Sequence, residues 1–213
     1  MILVVIVNYR TPQLTIDCLR SLEAEIQRVP DVQVAVSDNL SGDDSVDIIS
    51  AAIDREGWHS WVTFMPLSKN GGFAYGNNAV IKESLAADSP PDYIWLLNPD
   101  TVVRPNGLKT LVDFMDTHKD VGIAGSRLED PDGTPQRSAF RFHSIFSELD
   151  SGLQLGLVSK LLSRWVVAPP IAGHSCQTDW LAGASMLIRR EVFDAVGLMD
   201  DGYFMYYEEV DFC

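Results

Sequence analysis

The chain has 213 residues, of which 46% are hydrophobic, so it is long and apolar enough for one folded domain, and wholesale disorder is not expected. Its formal net charge of -14 at pH 7 argues against nucleic acid as a partner, because that binding depends on Lys and Arg neutralising phosphates. The same charge would repel an anionic small substrate unless a cation lies between them.

Three features of the sequence bear on cellular location. The N-terminal run MILVVIVNYR lacks a basic segment and a small-residue cleavage site, so it predicts a strand and not a signal peptide. No apolar run reaches the roughly 18–20 residues that a membrane span needs. Cys18, Cys176 and Cys213 are odd in number and scattered, which indicates neither a disulfide framework nor a zinc site and fits a reducing cytosol. We therefore expect a cytoplasmic protein.

The first half of the chain alternates predicted strands with predicted helices. Apolar runs predict strands at ILVVIV (2–7), VQVAVSDN (32–39), WVTFMPL (61–67) and YIWLLNPD (93–100). Helical patterns follow from the N-cap candidate Thr11, over about 43–55, and over 70–87, where a glycine-rich turn becomes a helix. Repeated β-α units predict a mostly parallel sheet flanked by helices, with ligands at the carboxyl ends of its strands.

The second half has a different pattern. The segment LEDPDGTPQR (128–137) predicts a turn or hairpin, and DWLAGASMLIRR (179–190) predicts a strand followed by a short helix. Between them, segment 144–167 carries apolar residues at helical spacing. These residues are Phe146, Leu149, Leu153, Leu157, Leu161 and Trp165.

Carboxylates follow two of the predicted strands directly. At the end of the second strand, Asp38 could accept hydrogen bonds from a nucleobase or a ribose, although Asp-Asn pairs also end strands as ordinary turns. Asp100 follows the fourth strand, where a carboxylate beside a diphosphate makes sense only with a divalent cation between them. The alternative for Asn98-Pro99-Asp100 is again a strand-ending turn.

The stretch NGGFAYGNN places Gly71, Gly72 and Gly76 between a strand and a helix. Glycines in such a position let the backbone approach a phosphate or a sugar closely. The spacing is not the G-x-G-x-x-G pattern of dinucleotide-binding proteins, and the first strand runs into NYRTPQ instead. Taken alone, the stretch therefore favours a tight turn.

The C-terminal stretch MYYEEVDFC places Glu208, Glu209 and Asp211 behind aromatic residues. Neighbouring carboxylates and aromatic burial both disfavour the charged form, which fits a raised pKa and a role as a base. The alternative is a helix N-terminus, where acidic residues are favoured by the dipole. In such a helix positions 208 and 211 share a face, and position 209 points about 100° away.

Six motifs in one order carry a resemblance. VVIVNYR, VSDNLSGDDS, NGGFAYGNN, LLNPDT, DWLAGASMLIRR and GLMDDGYFMYYEEVDFC resemble those of family 2 glycosyltransferases with the GT-A nucleotide-sugar fold. The chain is most similar to the bacterial branch that includes rhamnosyltransferases of surface polysaccharides. The resemblance implies a single domain over 1–213, with a nucleotide-sugar-binding half (1–100) and an acceptor-side half (101–213). It also implies a C-terminal truncation, because relatives extend the motif in which this chain stops.

The resemblance assigns roles to matching positions. It implies a metal ligand for Mg²⁺ or Mn²⁺ at Asp100, because Asn98-Pro99-Asp100 stands where the family has D-x-D. The nucleotide-sugar contacts that it implies are Asn8, Tyr9, Arg10, Asp38, Asn70, Gly71, Gly72, Asn77, Asn78 and Asn98. The acceptor contacts that it implies are Asp179, Trp180, Gly183 and Ala184.

The catalytic base is the one position where the chain departs from the family. The family usually has Glu-Asp where this chain has Glu208-Glu209, and the aspartate is the expected base. We therefore expect Glu209 to act as the base, with Glu208 as the alternative. The longer side chain requires a compensating backbone position, because a displacement of about 1 Å can lower a rate by ~10²-fold.

The implied function is an inverting transfer of a sugar, with rhamnose among the candidates. The donor is a nucleoside-diphosphate sugar, and the acceptor is a hydroxyl of a glycan or of a lipid-linked molecule in surface polysaccharide synthesis. A nucleotidyltransferase is an alternative, but NYRTPQ is not the glycine-rich, basic loop that such enzymes carry after the first strand. A non-catalytic sugar-nucleotide-binding remnant or scaffold protein is the other alternative. The sequence leaves the oligomeric state open.

A basic patch flanks segment 144–167 in this otherwise acidic protein. It consists of Arg137, Arg141, Lys160 and Arg164. Basic and apolar residues together predict a surface that meets a lipid-linked acceptor or the membrane interface at the inner face of the cell membrane. The alternative is a helix that packs on the core.

Overall fold

The structure is a computed structural model, and it describes residues 1–153 and 161–213. The strands are β1 (Ile2–Asn8), β2 (Val32–Asp38), β3 (Val62–Pro66), β4 (Tyr93–Leu97), β5 (Ile123–Gly125), β6 (Leu128–Glu129), β7 (Pro135–Gln136), β8 (Ala139–Phe140), β9 (Trp180–Leu181) and β10 (Ser185–Arg189). The helices are α1 (Pro12–Ile26), α2 (Ser45–Glu56), α3 (Gly72–Leu85), α4 (Gly107–Thr117), α5 (Ile145–Leu153), α6 (Arg190–Val196) and α7 (Glu208–Phe212), with 3-10 turns at Trp58–Ser60 and Ser163–Trp165.

A six-stranded sheet in the order β3-β2-β1-β4-β10-β5 forms the centre of the fold. β1, β2, β3 and β4 are parallel, whereas β10 is antiparallel to both β4 and β5. Every residue of β1 is buried, as expected of a β-branched strand that is covered on both faces. The prediction of a mostly parallel sheet flanked by helices is confirmed.

The strand register brings the carboxyl ends of the parallel strands to one edge of the sheet, here called the carboxyl edge. Asn8 lies opposite Asp38, and Asp38 lies opposite Pro66. The chain leaves β4 beside them, one residue before Asn98. Three polar residues that the sequence singled out therefore lie at the same edge, because parallel strands all end on the same side.

Helices cover both faces of the sheet and divide the core into two layers. On one face, Leu19 and Leu22 of α1 and Ile49 of α2 pack against β1, β2 and β4. On the other face, Ile81 of α3 and Phe193 of α6 pack against the same strands and β10. Thr11 precedes α1 as predicted, but it does not cap the helix through its side chain, because its hydroxyl donates to Asn8 instead.

The stretch DWLAGASMLIRR is two strands, and the prediction of one strand over 179–190 was wrong. β9 pairs with β8 in a separate two-stranded sheet, and β10 enters the central sheet beside β4. The chain changes sheets at 182–184, around Gly183. Local alternation of apolar residues cannot show such a break, because both parts have strand composition and their partners are distant in sequence.

Segment 144–167 is only partly described. Its first part is α5, and positions Leu157 and Lys160 lie outside the described residues. The hairpin expected over 128–137 is present as β6 and β7. Among the helices that the structure describes, none combines the length and apolar character needed to cross a bilayer.

Candidate functional site

Asn8 is the centre of a buried hydrogen-bond network at the carboxyl edge. Its amide nitrogen donates to Asp38 Oδ1 at 2.7 Å and to Ser41 Oγ at 3.3 Å. Its amide oxygen accepts from the hydroxyls of Thr11 at 3.2 Å and Thr15 at 2.9 Å. The side chain is fully buried. Asn8 therefore holds the end of β1 to β2 and to the start of α1.

Asp38 is buried and bound by protein donors. Besides Asn8, the hydroxyl of Ser41 donates to Oδ1 at 2.6 Å, and the Ser41 backbone N–H donates to Oδ2 at 3.0 Å. In this conformation the carboxylate organises the loop that follows β2. Contact between Asp38 and a nucleobase or ribose stays a prediction. The interpretation of Asp38-Asn39 as a turn did not include Ser41, although its spacing of three residues after Asp38 is a signal for such a bond.

Arg10 follows β1 in a left-handed conformation, with a φ of 58°. Such a conformation is strained for a residue other than glycine. Two bonds to Ser41 hold it: the Arg10 backbone N–H donates to Oγ, and the guanidinium Nε donates to the carbonyl oxygen, both at 2.9 Å. The guanidinium lies 5.2 Å from the ring centre of Tyr9, and both side chains are exposed. A cation and an aromatic ring are thus available at the carboxyl edge.

The first amide groups of α3 and of the turn before it bind other parts of the protein. Gly71 N donates to Asn39 Oδ1 at 3.4 Å, and Gly72 N donates to Asn70 Oδ1 at 3.1 Å. Phe73 N donates to the carbonyl oxygen of Phe204 at 3.1 Å. A helix N-terminus binds phosphate through such free N–H groups. Their engagement here favours the tight-turn interpretation, and donor contacts of Asn70, Gly71 and Gly72 stay predictions.

Close packing explains all three glycines in this stretch, and a methyl group on Gly71 would lie 2.4 Å from Tyr75 Cγ. Gly72 has a φ of 87°, and a methyl group built on it would lie 1.8 Å from Phe204 O. A methyl group on Gly76 would lie 2.6 Å from Val7 Cγ1, so this glycine lets α3 approach β1. The buried amide of Asn77 donates to Phe73 O within the helix at 3.0 Å. These positions therefore serve packing in the present conformation.

Asn98, Pro99 and Asp100 form the turn that follows β4. Asn98 N donates to Ala184 O at 3.0 Å, and Asn98 O accepts from the Thr101 hydroxyl at 2.7 Å. Cys18 lies beneath this turn, with its sulfur 3.8 Å from Asn98 O. Burial raises the pKa of the Cys18 thiol to about 12, and the nearby charge of Asp100 acts in the same direction. The turn is anchored from below, and Asp100 itself is exposed.

The predicted acceptor residues lie immediately before, on and after β9. Asp179 Oδ2 accepts from the backbone N–H of Phe142 at 2.8 Å. The ring of Trp180 stacks on Phe140 with centres 4.3 Å apart, and its Nε1 donates to Arg141 O at 2.9 Å. Asp179 and Trp180 thus hold the loop after β8 against β9. Contact with an acceptor stays a prediction for both residues.

Gly183 brings the predicted base next to the predicted acceptor strand. A methyl group built on Gly183 would lie 3.0 Å from Phe73 Cζ and 3.7 Å from Glu209 Oε1. The next residue, Ala184, accepts the hydrogen bond from Asn98. The predicted base therefore lies beside Gly183, and the turn that carries the predicted metal ligand is hydrogen-bonded to the next residue, Ala184. No pattern in the sequence indicated the contact with Phe73.

The carboxylates of α7 differ in environment. Glu208 is only 3% exposed, Glu209 is half-buried, and Asp211 is exposed. The Oε2 atoms of Glu208 and Glu209 are buried and have no hydrogen-bond partner in the part of the chain that the structure describes. Burial, together with the neighbouring Glu209, raises the pKa of Glu208. Glu208 shares its burial with Phe212, four residues on, and not with Asp211.

Residues 3–172 match the family model described as "Glycosyl transferase family 2". The chain belongs to glycosyl transferase family 2. Among curated proteins it is 28% identical to N-acetylglucosaminyl-diphospho-decaprenol L-rhamnosyltransferase of Mycobacterium tuberculosis, over 84% of this chain and 59% of that protein. It is 27% identical to rhamnosyltransferase WbbL of Escherichia coli K12, over 67% of this chain and 53% of that protein. The expected resemblance is confirmed, and the chain spans less than two thirds of either relative.

The solved structure of a mannosyltransferase confirms the GT-A fold. The structure resembles mannosyltransferase PcManGT from Pyrobaculum calidifontis, with a TM-score of 0.61 and 14% identity. The match covers 94% of this chain and 47% of that chain, which was solved with GDP-Man and Mn²⁺. At this identity the likeness concerns the fold alone.

The residues at the carboxyl edge fit a cation whose coordination is completed by phosphate groups of the substrate. Within residues 1–153 and 161–213, no three His, Cys, Asp or Glu side chains converge on a point that could hold a metal. Asp100 instead offers one exposed carboxylate. Mg²⁺ and related cations are often bound by one or two carboxylates together with substrate phosphates and waters. This family 2 chain therefore has a donor set suited to a metal-diphosphate complex and not to a free metal ion.

Proposed function

We propose that this family 2 chain carries the donor site and the base of an inverting glycosyltransferase. The donor is a nucleoside-diphosphate sugar, with rhamnose as the first candidate sugar because the relatives from Mycobacterium tuberculosis and Escherichia coli are rhamnosyltransferases. The acceptor is a hydroxyl group of a glycan or of a lipid-linked molecule, and the product belongs to a cell-surface polysaccharide. We place this reaction at the cytoplasmic face of the membrane.

One observation supports the proposal most strongly: Glu209 and Asn98 contact neighbouring residues. Glu209 Oε1 lies beside Gly183, and Asn98 N donates to Ala184 O at 3.0 Å. An inverting transfer needs a base on the acceptor side and a stabilised leaving group on the donor side, close enough to share one sugar. Glu209 and the turn after β4 both lie beside Gly183–Ala184, which supports placing the base and the leaving group next to the same sugar.

The chemistry is a single displacement. The acceptor hydroxyl oxygen forms a bond to the anomeric carbon, and the bond from that carbon to the diphosphate oxygen breaks. Glu209 takes the hydroxyl proton, and the nucleoside diphosphate leaves with the electron pair of the broken bond. Oε2 of Glu209 has no hydrogen-bond partner among the described residues, so no donor there competes with the hydroxyl proton for it.

The donor diphosphate needs positive charge in a protein with a net charge of -14. A divalent cation held by Asp100 would supply that charge and stabilise the leaving group. Arg10 adds a protein cation at the same edge, where its backbone is held by Ser41. Asn8 and Asp38 then act by holding the Arg10 turn, and Tyr9 offers an exposed ring for a nucleobase.

The test is metal-dependent nucleotide binding. A panel of nucleoside diphosphates and sugar nucleotides is titrated calorimetrically with Mn²⁺, with Mg²⁺ and with EDTA. We expect Asp100→Ala to lose the metal-dependent part of the affinity while its unfolding temperature stays unchanged. Asp88→Ala is the matched control, because Asp88 is also exposed but lies before β4, at the other end of the strand. Equal affinity of Asp100→Ala and the unsubstituted chain in Mn²⁺ would overturn the assignment of Asp100.

Turnover is tested separately from binding. The chain is incubated with the donor that binds best, with Mn²⁺ and with a simple glycoside or prenyl-diphosphate sugar as acceptor, and release of nucleoside diphosphate is followed. Release above the uncatalysed rate supports the transferase. Tight donor binding with neither transfer nor donor hydrolysis would support the alternative, a non-catalytic sugar-nucleotide-binding protein.

We further propose that α5 contacts an anionic lipid surface. Its apolar side chains are exposed, with Ile145 at 85% and Phe146 at 46%. Arg137 and Arg164 are exposed as well, and Arg141 donates to the backbone oxygen of Arg164. Basic and apolar groups on one surface favour an anionic bilayer.

Vesicle co-sedimentation tests this surface. We expect binding to vesicles with anionic lipid at low salt, weaker binding at high salt, and little binding of Ile145→Glu. Val196→Glu is a charge-matched control, because Val196 is also an exposed apolar residue, at 62%, but lies at the end of α6. Absence of binding at low salt would remove the proposal and leave the donor site unaffected.

A further inference from the structure

The segment that carries the predicted base is bound to α3 through two of its own backbone carbonyl groups. The amide nitrogen of Asn78 donates to Met199 O at 2.7 Å, and the backbone N–H of Phe73 donates to Phe204 O at 3.1 Å. Segment 199–212 is thus attached to α3 through the part of the segment that precedes α7. This attachment uses the side-chain amide of Asn78 and the backbone N–H of Phe73, which is one of the N–H groups at the N-terminus of the helix.

The fit at the second position leaves no room for a side chain. Gly72 precedes Phe73, and a methyl group on Gly72 would overlap Phe204 O at 1.8 Å. The backbone of α3 and that of the base-carrying segment are therefore in direct contact. A glycine with a positive φ permits this approach, since it needs no space for Cβ.

The ring of Phe73, on the same helix, lies beside the glycine that the predicted base also approaches. Its edge atoms Cζ and Cε1 lie 3.0 and 3.1 Å from a methyl group built on Gly183, and Glu209 Oε1 lies 3.7 Å from that same point. Phe73 and Glu209 therefore lie on the same side of Gly183. Glu209 Oε2 is buried and has no hydrogen-bond partner in the described part of the chain, so no donor there holds it in place.

We infer that Phe73 is a positioning residue for Glu209. Its backbone N–H donates to Phe204 O, and its ring lies on the side of Gly183 that Glu209 Oε1 also approaches. This inference rests on the proposed function for its catalytic readout, but it also makes a structural statement about segment 199–212. It assigns the first turn of α3 to the base, in addition to any contact with the donor.

The main test compares Phe73→Ala with a matched variant. Phe114→Ala is the control, because Phe114 is also a partly buried phenylalanine that packs against a core cluster, but on the opposite face of the sheet. We expect Phe73→Ala to lower kcat by roughly 10- to 100-fold, the effect of a base displaced by about 1 Å, with donor KM within about twofold of the unsubstituted chain. Phe73→Leu should recover part of the loss. Phe114→Ala should leave kcat within about twofold.

A structural readout separates this inference from the proposed function. Hydrogen-deuterium exchange should be faster across 199–213 in Phe73→Ala and in Asn78→Ala, and unchanged there in Phe114→Ala. If the unsubstituted chain transfers no sugar, the proposed function fails while the exchange experiment still decides the inference. If Phe73→Ala does not fold, Phe73→Leu and Asn78→Ala carry the test. Unchanged exchange in both of these variants, or a kcat of Phe73→Ala or Phe73→Leu equal to that of the unsubstituted chain, would overturn the inference.

Discussion

The two ends of the candidate site hold their carboxylates in opposite ways. At the donor end, Asp38 is buried and accepts three hydrogen bonds from Asn8 and Ser41. At the base end, Glu208 and Glu209 each have an Oε2 atom that is buried and has no partner among the described residues. A buried polar atom without a partner is costly, so an orphaned carboxylate calls for a functional explanation where a saturated one does not.

Under the proposed function, the saturated carboxylate serves structure and the carboxylate without a described donor serves chemistry. Glu25 shows the structural case outside the site: it is 1% exposed, and its oxygens accept from Arg28 and from the backbone N–H groups of Asn106 and Leu108. Asp38 resembles Glu25. Glu209 does not, because its Oε2 is buried and has no donor among the described residues. Substitutions at the base end should therefore lower the rate of transfer, whereas substitutions at the donor end should lower the free energy of unfolding.

The largest expected effect is on the rate of transfer. Glu209→Gln keeps the shape of the side chain and removes its basicity, so we expect transfer to fall by a factor of ~10² to 10⁴, with donor affinity nearly unchanged. Steady-state kinetics and calorimetric donor binding measure the two quantities. Asp211→Asn is the matched control on the same helix, where Asp211 is exposed. A Glu209→Gln variant with full activity, beside an inactive Glu208→Gln or Asp211→Asn, would place the base elsewhere.

A smaller effect, on stability, is expected at the donor end. Asp38→Ala leaves the Ser41 donors without their acceptor, and each buried group so orphaned costs roughly 1–3 kcal/mol. We therefore expect a loss of more than about 2 kcal/mol in the free energy of unfolding, measured by urea titration. Asp44→Ala, on the same loop, removes an exposed carboxylate whose side chain makes no capping bond, and should change stability by less than ~0.5 kcal/mol. Similar losses in both variants would show that the Asp38 network is not structural.

The smallest effect is a pH-dependent change in stability at Glu208. Its pKa in the folded chain is raised above the ordinary value of 4.5, chiefly by burial. The protonated form is therefore favoured on folding, so this stabilisation is complete below pH 4.5 and is lost as pH rises through the raised pKa. We expect Glu208→Gln to raise the unfolding temperature at pH 7–8, with the gain shrinking toward pH 4. The exposed Glu191→Gln should show no such trend. A gain that is constant with pH would refute burial as the cause.

Local sequence patterns were enough to predict the parallel sheet and the edge at which its strands end. A continuous β-branched run such as 2–7 can be buried on both faces only in a covered parallel sheet, and parallel strands end on one side. Asp38 and Asn98–Asp100 were therefore placed correctly at that edge from local patterns. Helix positions followed in the same way, since apolar spacing along α1 reports the face that becomes buried.

The way in which the second half of the chain packs against the first could be seen only in the tertiary structure. Segment 101–127 gave no prediction, yet it forms α4 and β5, and 179–190 divides between two sheets. Nothing local distinguishes Glu25, with its hydrogen-bond donors, from Glu208, whose Oε2 has no donor in the part of the chain described here. The contact of Phe73 with Gly183 likewise joins positions more than a hundred residues apart. Such features depend on which distant segments pack together, and a local pattern of residues carries no information about its partner.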